Sequence, residues 1–257
     1  MAKKQRLDKV LSNLGYGSRA EMKRDCKKGL VQVNGKVENN PGLQVDTDKD
    51  TIVFDGETIQ YREFVYIMLN KPDGYISATF DKYDPIVLDL IEPNLLVFEP
   101  FPVGRLDKDT EGLLVLTNDG QLAHRVLAPK SHVPKTYYAK IDGKVTEEDI
   151  NDFKEGVVLD DGYKTMPAEL VILESDDISE IELTIHEGKF HQVKRMFESV
   201  GKKVTYLKRL SMGKLKLDES LELGEYRELT EEEIKLNLEF ENTSEESYNN
   251  VTAKLTC

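Results

Sequence analysis

The segment from Gly104 to Gly120, GRLDKDTEGLLVLTNDG, gathers the acidic side chains best spaced to do chemistry. Asp107, Asp109 and Glu111 alternate and Gly112 comes sixth, as in a helix-flanked calcium loop. The twelfth position is Asn118, which lacks the bidentate carboxylate that closes such a cage. Leu113–Leu116 also reads as a short buried strand where a flanking helix is required. Other chemistries are less well supplied. His186 and His191, in HEGKFH, stand one residue too far apart for two zinc ligands one helical turn apart, and Gly188 weakens a helix there. No serine or cysteine carries a nucleophile signature, and no glycine-rich phosphate loop is present. The candidate groups are therefore carboxylate, lysine, arginine, tyrosine and backbone.

The elements that must position these groups divide into two regions. The 257-residue chain carries a net charge of −13, but residues 1–36 hold ten Lys/Arg against three Asp/Glu. That head is +7, which leaves −20 for the rest, and a basic module on an acidic body suggests a nucleic-acid partner. Leu7, Val10, Leu11 and Leu14 predict a first helix that stops at Gly15, and Ser18 with Glu21 predicts a capping box opening a second. On the second helix Arg19, Lys23 and Lys27 recur every four residues, widened by Arg24 and Lys28, so that a basic stripe faces one way. Such a stripe suits a line of phosphates; a merely solvated face is the alternative. Asn34-Gly35 and Asp55-Gly56 then predict two tight hairpins. From Tyr61 to Leu236 the pattern is many strands with few helices, including helices at 121–128, after Thr146 and at 189–200 with Gly201 beyond its end, and strand-like GVVL, AELVIL and EIELTI. The fold class expected is α+β, with a small N-terminal domain (1–60), a larger domain around a mixed or antiparallel sheet (61–236) and a loose acidic tail (237–257). Two cysteines form no disulfide framework, no apolar run reaches membrane-spanning length and no signal peptide is evident, which points to a cytoplasmic protein with no membrane partner.

Two resemblances sharpen this. Residues 4–50, two helices and short strands with the basic stripe on the second helix, resemble the S-four RNA-binding domain. GRLDKDTEGLLVLTNDG resembles the signature of the pseudouridine synthases, and LNKPDGYIS, KTYYAK, EGKFHQVKRMF and LKRLSMG match that family's further motifs in order, over residues 66–213. The combination resembles the RsuA branch, which acts on ribosomal RNA; the wording HQVKRM is nearest the small-subunit (16S) enzyme, with large-subunit relatives as the alternative.

The resemblance implies an isomerase that needs no cofactor and no metal. It implies Asp107 as the essential carboxylate, attacking the anomeric carbon or helping to form a glycal, Lys194 as its basic partner, and Tyr137 packed against the uracil. Burial disfavours a charged carboxylate, so a cation beside Asp107 is chemically required. Tyr138 points to the opposite strand face. Arg105 is expected at a phosphate, in the vacated base stack, or in an ion pair; Arg195 at a phosphate or in solvent; Lys71 and Pro72 as structural support; Asp109 and Glu111 as loop-ordering or solvated. Arg19, Lys23, Arg24 and Lys27 are the expected RNA contacts of the head. The expected partner is ribosomal RNA, within a pre-ribosomal small-subunit particle, and the protein is expected to be a monomer. A non-catalytic RNA-binding assembly factor does not require Asp107, Tyr137 and Lys194 together, and a metal-dependent nuclease needs clustered acids.

Overall fold

A computed structural model describes residues 4–47, 49–59 and 61–238. The chain forms two compact units, one running to Val65 and including Ile91–Pro100, the other comprising Tyr66–Leu90 and the chain from Phe101 onward. The segment 91–100 therefore groups with the N-terminal unit, although in sequence it interrupts the larger one.

In the first unit, β1 (Lys4–Arg6) leads directly into α1 (Leu7–Asn13) and pairs with β4 (Gln44–Asp46). Helix α2 (Arg19–Lys27) opens with the expected capping box: Ser18 Oγ accepts from Glu21 N while Glu21 Oε2 accepts from Ser18 N. Its inward positions Met22 and Cys26 meet Leu7, Val10 and Leu11 of α1. Each fully buried Leu or Met side chain contributes about 2 kcal/mol of transfer free energy, which ties the two helices together. Two hairpins, β2 (Val31–Val33) with β3 (Lys36–Val37) and β5 (Ile52–Phe54) with β6 (Glu57–Ile59), join through β2 and β5 into a four-stranded sheet. Both turns take the left-handed conformation that Asn-Gly and Asp-Gly favour, with φ of 51° at Asn34 and 48° at Asp55. A single turn of helix, α3 (Pro93–Leu96), completes this unit, with Val97 against Gly15.

The second unit is built on a nine-stranded mixed sheet. Its strands are β7 (Tyr66–Lys71), β8 (Phe101–Pro102), β9 (Glu111–Thr117), β10 (Lys135–Asp142), β11 (Glu169–Glu174), β12 (Ile178–Ile185), β13 (Lys203–Met212), β14 (Leu215–Lys216) and β15 (Tyr226–Glu228). The main order is β11-β12-β10-β13-β9-β7-β15, antiparallel except where β13 runs parallel to β9. Strand β9 is buried on both faces from Gly112 to Thr117, which accounts for its unbroken apolar sequence. Gly112 is required at the β9–β13 contact: its φ is 99°, and a Cβ there would collide with the Arg209 carbonyl oxygen.

Helices α4 (Gly120–Leu127), α5 (Glu147–Glu155), α6 (Gln192–Ser199) and α7 (Glu231–Leu238) accompany the sheet. Phe153 of α5 meets Phe197 of α6 edge-on at 5.0 Å, and Leu122 and Val126 of α4 join a core with Met68, Leu113 and Val115. Three expectations need correction. GVVL forms only a bridge between Val158 and Lys164. Helix α6 begins at Gln192 rather than 189, because His191 adopts left-handed backbone. Residues 237 and 238 belong to α7, and the rest of the expected tail lies outside the described residues. No helix among the described residues is long and apolar enough to cross a membrane.

Candidate active site

Asp107 lies in the loop before β9, and that loop is held from below by the one following β7. Lys71, at the end of β7 and fully buried, donates from Nζ to the carbonyls of Pro72 (3.0 Å), Lys108 (3.1 Å) and Thr110 (2.8 Å). Gly74 N donates to the same Lys108 carbonyl at 2.9 Å. Ser77 Oγ accepts from Leu106 N at 3.0 Å and donates to Leu106 O at 3.1 Å. The backbone is thus gripped immediately before and after Asp107, and Thr110 N closes the turn onto the Asp107 carbonyl at 3.1 Å. Burial pushes the Lys71 ammonium down to about 8, with the carboxylates of Asp73 and Asp109 opposing the fall. A buried cation satisfied by three carbonyls orders the loop at an electrostatic cost, consistent with a site whose geometry matters.

The gripped loop presents Asp107 to a cleft of about 1220 Å³. Lys194, from the first turn of α6, reaches Asp107 Oδ2 at 3.3 Å and Asp109 Oδ1 at 2.6 Å. The Lys194 side chain is 19% exposed and that of Asp107 27%, so the pair is partly desolvated and less screened than a surface ion pair. Asp109 is exposed, as expected of a solvated loop residue, but it also shares the Lys194 ammonium with Asp107. Burial pushes its carboxyl up, but hydrogen bonding and charge from Lys194 outweigh this and lower it. His191 Nε2 stands 3.6 Å from Asp107 Oδ1, on the other side of the carboxylate.

Tyr137, on β10, is buried and lines the cleft floor; it sits in register with Arg209 of β13 on one side and Leu183 of β12 on the other. Tyr138 faces away and meets Tyr206 edge-on, and burial with hydrogen bonding to Glu180 pushes its phenol up to about 12. Arg105 is exposed at the cleft, with no carboxylate partner among the described residues. Arg195 departs from expectation. Its side chain is 14% exposed and its guanidinium ion-paired with Asp160 and with Asp161 at 2.7 Å, so it is not a solvated charge, and a phosphate would have to displace two carboxylates. In the other unit, Arg19, Lys23, Arg24 and Lys27 are all exposed on α2, with Arg24 3.7 Å from Glu21.

Sequence reasoning missed Ser77, His191 and Gln192. Gln192 is buried and binds the Lys189 backbone N–H and the Glu187 carboxylate, which also accepts from Tyr163. This network fixes the turn that delivers His191 and Lys194. The available signal was the HEGKFHQ wording itself, in which a histidine that fails a metal pattern can still serve as a base.

Comparison with known proteins agrees with this geometry. Residues 65–199 match the family model described as RNA pseudouridylate synthase, and residues 5–52 match the S4 domain. An uncharacterized RNA pseudouridine synthase of Bacillus subtilis, YtzG, is 54% identical over 90% of this chain and 97% of its own length. The ribosomal large subunit pseudouridine synthase B of Bacillus subtilis is 42% identical over 90% of this chain and 94% of its own. The ribosomal small subunit pseudouridine synthase A of Yersinia pestis is 39% identical over 89% and 96%. A crystal structure of a pseudouridylate synthase, 38% identical, superposes with a TM-score of 0.64 over 90% of this chain and 99% of that one. An aspartate presented by a braced loop to an open cleft, with a lysine on its carboxylate, thus sits within a matched sequence and fold, and the chain belongs to the RNA pseudouridine synthases that carry an N-terminal S4 domain.

Proposed function

We propose that this chain isomerises a uridine of ribosomal RNA to pseudouridine, with Asp107 as the reactive carboxylate. The observation that carries the reading is the Asp107–Lys194 pair at 3.3 Å, at the mouth of a cleft and on a loop braced by Lys71 and Ser77. Pseudouridine formation breaks the N1–C1′ bond, turns the base and rejoins it through C5. Asp107 serves either by bonding to C1′ or by removing a neighbouring proton to give a glycal, and both roles need the charged carboxylate. Lys194 supplies the opposing charge. Tyr137 offers an aromatic surface in place of the stacking that a flipped base loses. Arg105, with no carboxylate partner among the described residues, meets a phosphate or fills the vacated stack. Arg19, Lys23, Arg24 and Lys27 hold the RNA backbone through the S4 domain.

Small-subunit RNA, within a pre-ribosomal particle, is the first reading of the substrate, supported by the wording EGKFHQVKRMF. Large-subunit RNA is the second, favoured by the 42% identity to a large-subunit enzyme. The protein acts as a cytoplasmic monomer. The test is a pseudouridine map of ribosomal RNA from cells with and without the gene. A modification missing from small-subunit RNA is expected; one missing from large-subunit RNA selects the second reading, and identical maps contradict both.

A further inference from the structure

Lys194 accounts for one oxygen of the Asp107 carboxylate, and His191 faces the other. The 3.6 Å between His191 Nε2 and Asp107 Oδ1 is too long for a hydrogen bond, so Nε2 is not committed to that partner. The ring nonetheless has a packing partner. It stacks on Phe190 with centroids 3.8 Å apart and planes 18° from parallel, and its backbone caps α6 in the left-handed region at φ 48°. A non-glycine residue in that region is held at an energetic cost, and such residues cluster at functional sites.

The isomerisation leaves a second task beyond the one given to Asp107 at C1′. C5 gives up a proton and N1 gains one, so the balance closes without an outside acid or base, but something must carry the proton across the ring. Because C5 ends bonded to C1′, where Asp107 acts, its proton is released beside the Asp107 carboxylate. Lys194 is an ammonium shared between Asp107 and Asp109 and offers no lone pair. Among the described residues, His191 is the one other side chain within ion-pair distance of Asp107. His132 and His186 also line the cleft, but His186 Nδ1 is engaged with the His132 carbonyl at 3.2 Å.

We propose that His191 is the proton carrier. Once the C5–C1′ bond has formed, its neutral Nε2 takes the proton from C5, and the electron pair of that C–H bond restores the aromatic ring. The carboxylates of Asp107 and Asp109 stabilise the transient imidazolium, and Nε2 then delivers the proton to N1, which returns the histidine to its starting form. The proposal rests on the reading of Asp107 as the carboxylate acting at C1′.

The test uses the full chain and a substrate RNA carrying either hydrogen or deuterium at uracil C5, followed in single turnovers. His191→Asn tolerates the left-handed backbone and removes the base; His191→Gly tolerates it and leaves room for added imidazole. His191→Asn is expected to react ~10²-fold more slowly with unchanged RNA affinity, and to show a larger C5 isotope effect than the natural protein. Imidazole is expected to restore part of the rate of His191→Gly, and His186→Gln is expected to keep the natural isotope effect. An unchanged isotope effect in His191→Asn, or a rise in Tyr137→Phe or His186→Gln in its place, overturns the proposal. If the natural protein itself turned over no RNA uridine, the synthase reading would fall instead, which separates the two outcomes.

Discussion

Helices α2 and α6 are both basic, and their cations meet opposite fates. On α2, Arg24 and the C-cap Lys28 pair with Glu21 and Asp25 of the same helix, but Arg19, Lys23 and Lys27 point into solvent from a helix whose other face is buried. On α6, Lys194 is engaged by Asp107 and Asp109, and Arg195 by Asp160 and Asp161. A helical run of Lys and Arg therefore carries two different meanings. Where no carboxylate among the described residues answers a cation, as at Arg19, Lys23 and Lys27, the charge remains available to a polyanion; where carboxylates converge on it, the charge is part of the protein's own site. Periodicity finds both kinds of helix, but only the tertiary structure tells them apart.

The largest expected effect falls on the engaged helix. Lys194→Met keeps much of the stem's packing and removes the cation shared by Asp107 and Asp109. Activity at neutral pH is expected to fall ~10²-fold, the scale of losing one preorganised electrostatic partner, with RNA affinity little changed. Lys194→Arg is expected to lie between Met and the natural residue, because a planar fork does not replace a compact ammonium. A single-turnover rate of Lys194→Met equal to the natural one would detach Lys194 from Asp107.

A smaller effect separates the two helices directly. Replacing Arg19, Lys23 and Lys27 together by alanine is expected to weaken RNA binding and reduce the logarithmic salt slope by about 2 to 3, since each phosphate no longer neutralised lowers it by roughly 0.7–0.9. Arg195→Met is expected to leave that slope unchanged and lower thermal stability, since it strands Asp160 and Asp161 without their partner. Equal salt slopes for the two variants would erase the distinction between the helices.

The smallest effect concerns the acidic end of the chain. Arg227 binds Asp218 at 2.6 Å and Glu233 at 2.8 Å, tying α7 to the segment before β15. Hydrogen bonds from Ser220 and Arg227 draw the Asp218 carboxyl down to about 2, and Arg227 draws Glu233 to about 2 as well. Both lie below the ~4 of an unfolded carboxyl, so their contribution is complete above that value and disappears as pH falls through about 2. Circular dichroism is expected to show α7 intact at pH 4 and released near pH 2, whereas Arg227→Ala releases it at higher pH.

Much of this was legible in the sequence where a local rule governs the backbone. The Ser18–Glu21 cap, the Asn-Gly and Asp-Gly turns and the doubly buried β9 each follow from a few neighbouring residues. Asp107, Tyr137 and Lys194 became legible through the ordered motifs, and all three line or border the cleft. What stayed hidden depends on distant partners. Strand β13, KVTYLKRLSM, shows no clean apolar alternation because Arg209 is buried, its Nε donating to the Leu113 carbonyl. The pairing of β1 with β4 spans some forty residues and leaves no local mark. The start of α6 at Gln192 depends on a left-handed histidine, a conformation that residue type adopts only occasionally. Arg195 looked free because Asp160 and Asp161 are remote in sequence.

The most direct measurement compares the natural protein with Asp107→Asn for RNA affinity and pseudouridine formation in single turnovers. The amide preserves shape and the surrounding loop structure but can act neither as nucleophile nor as base. RNA affinity close to that of the natural protein, with pseudouridine formation abolished, is the predicted result. Pseudouridine formed by Asp107→Asn at near the natural rate would contradict the assignment of Asp107 as the reactive carboxylate.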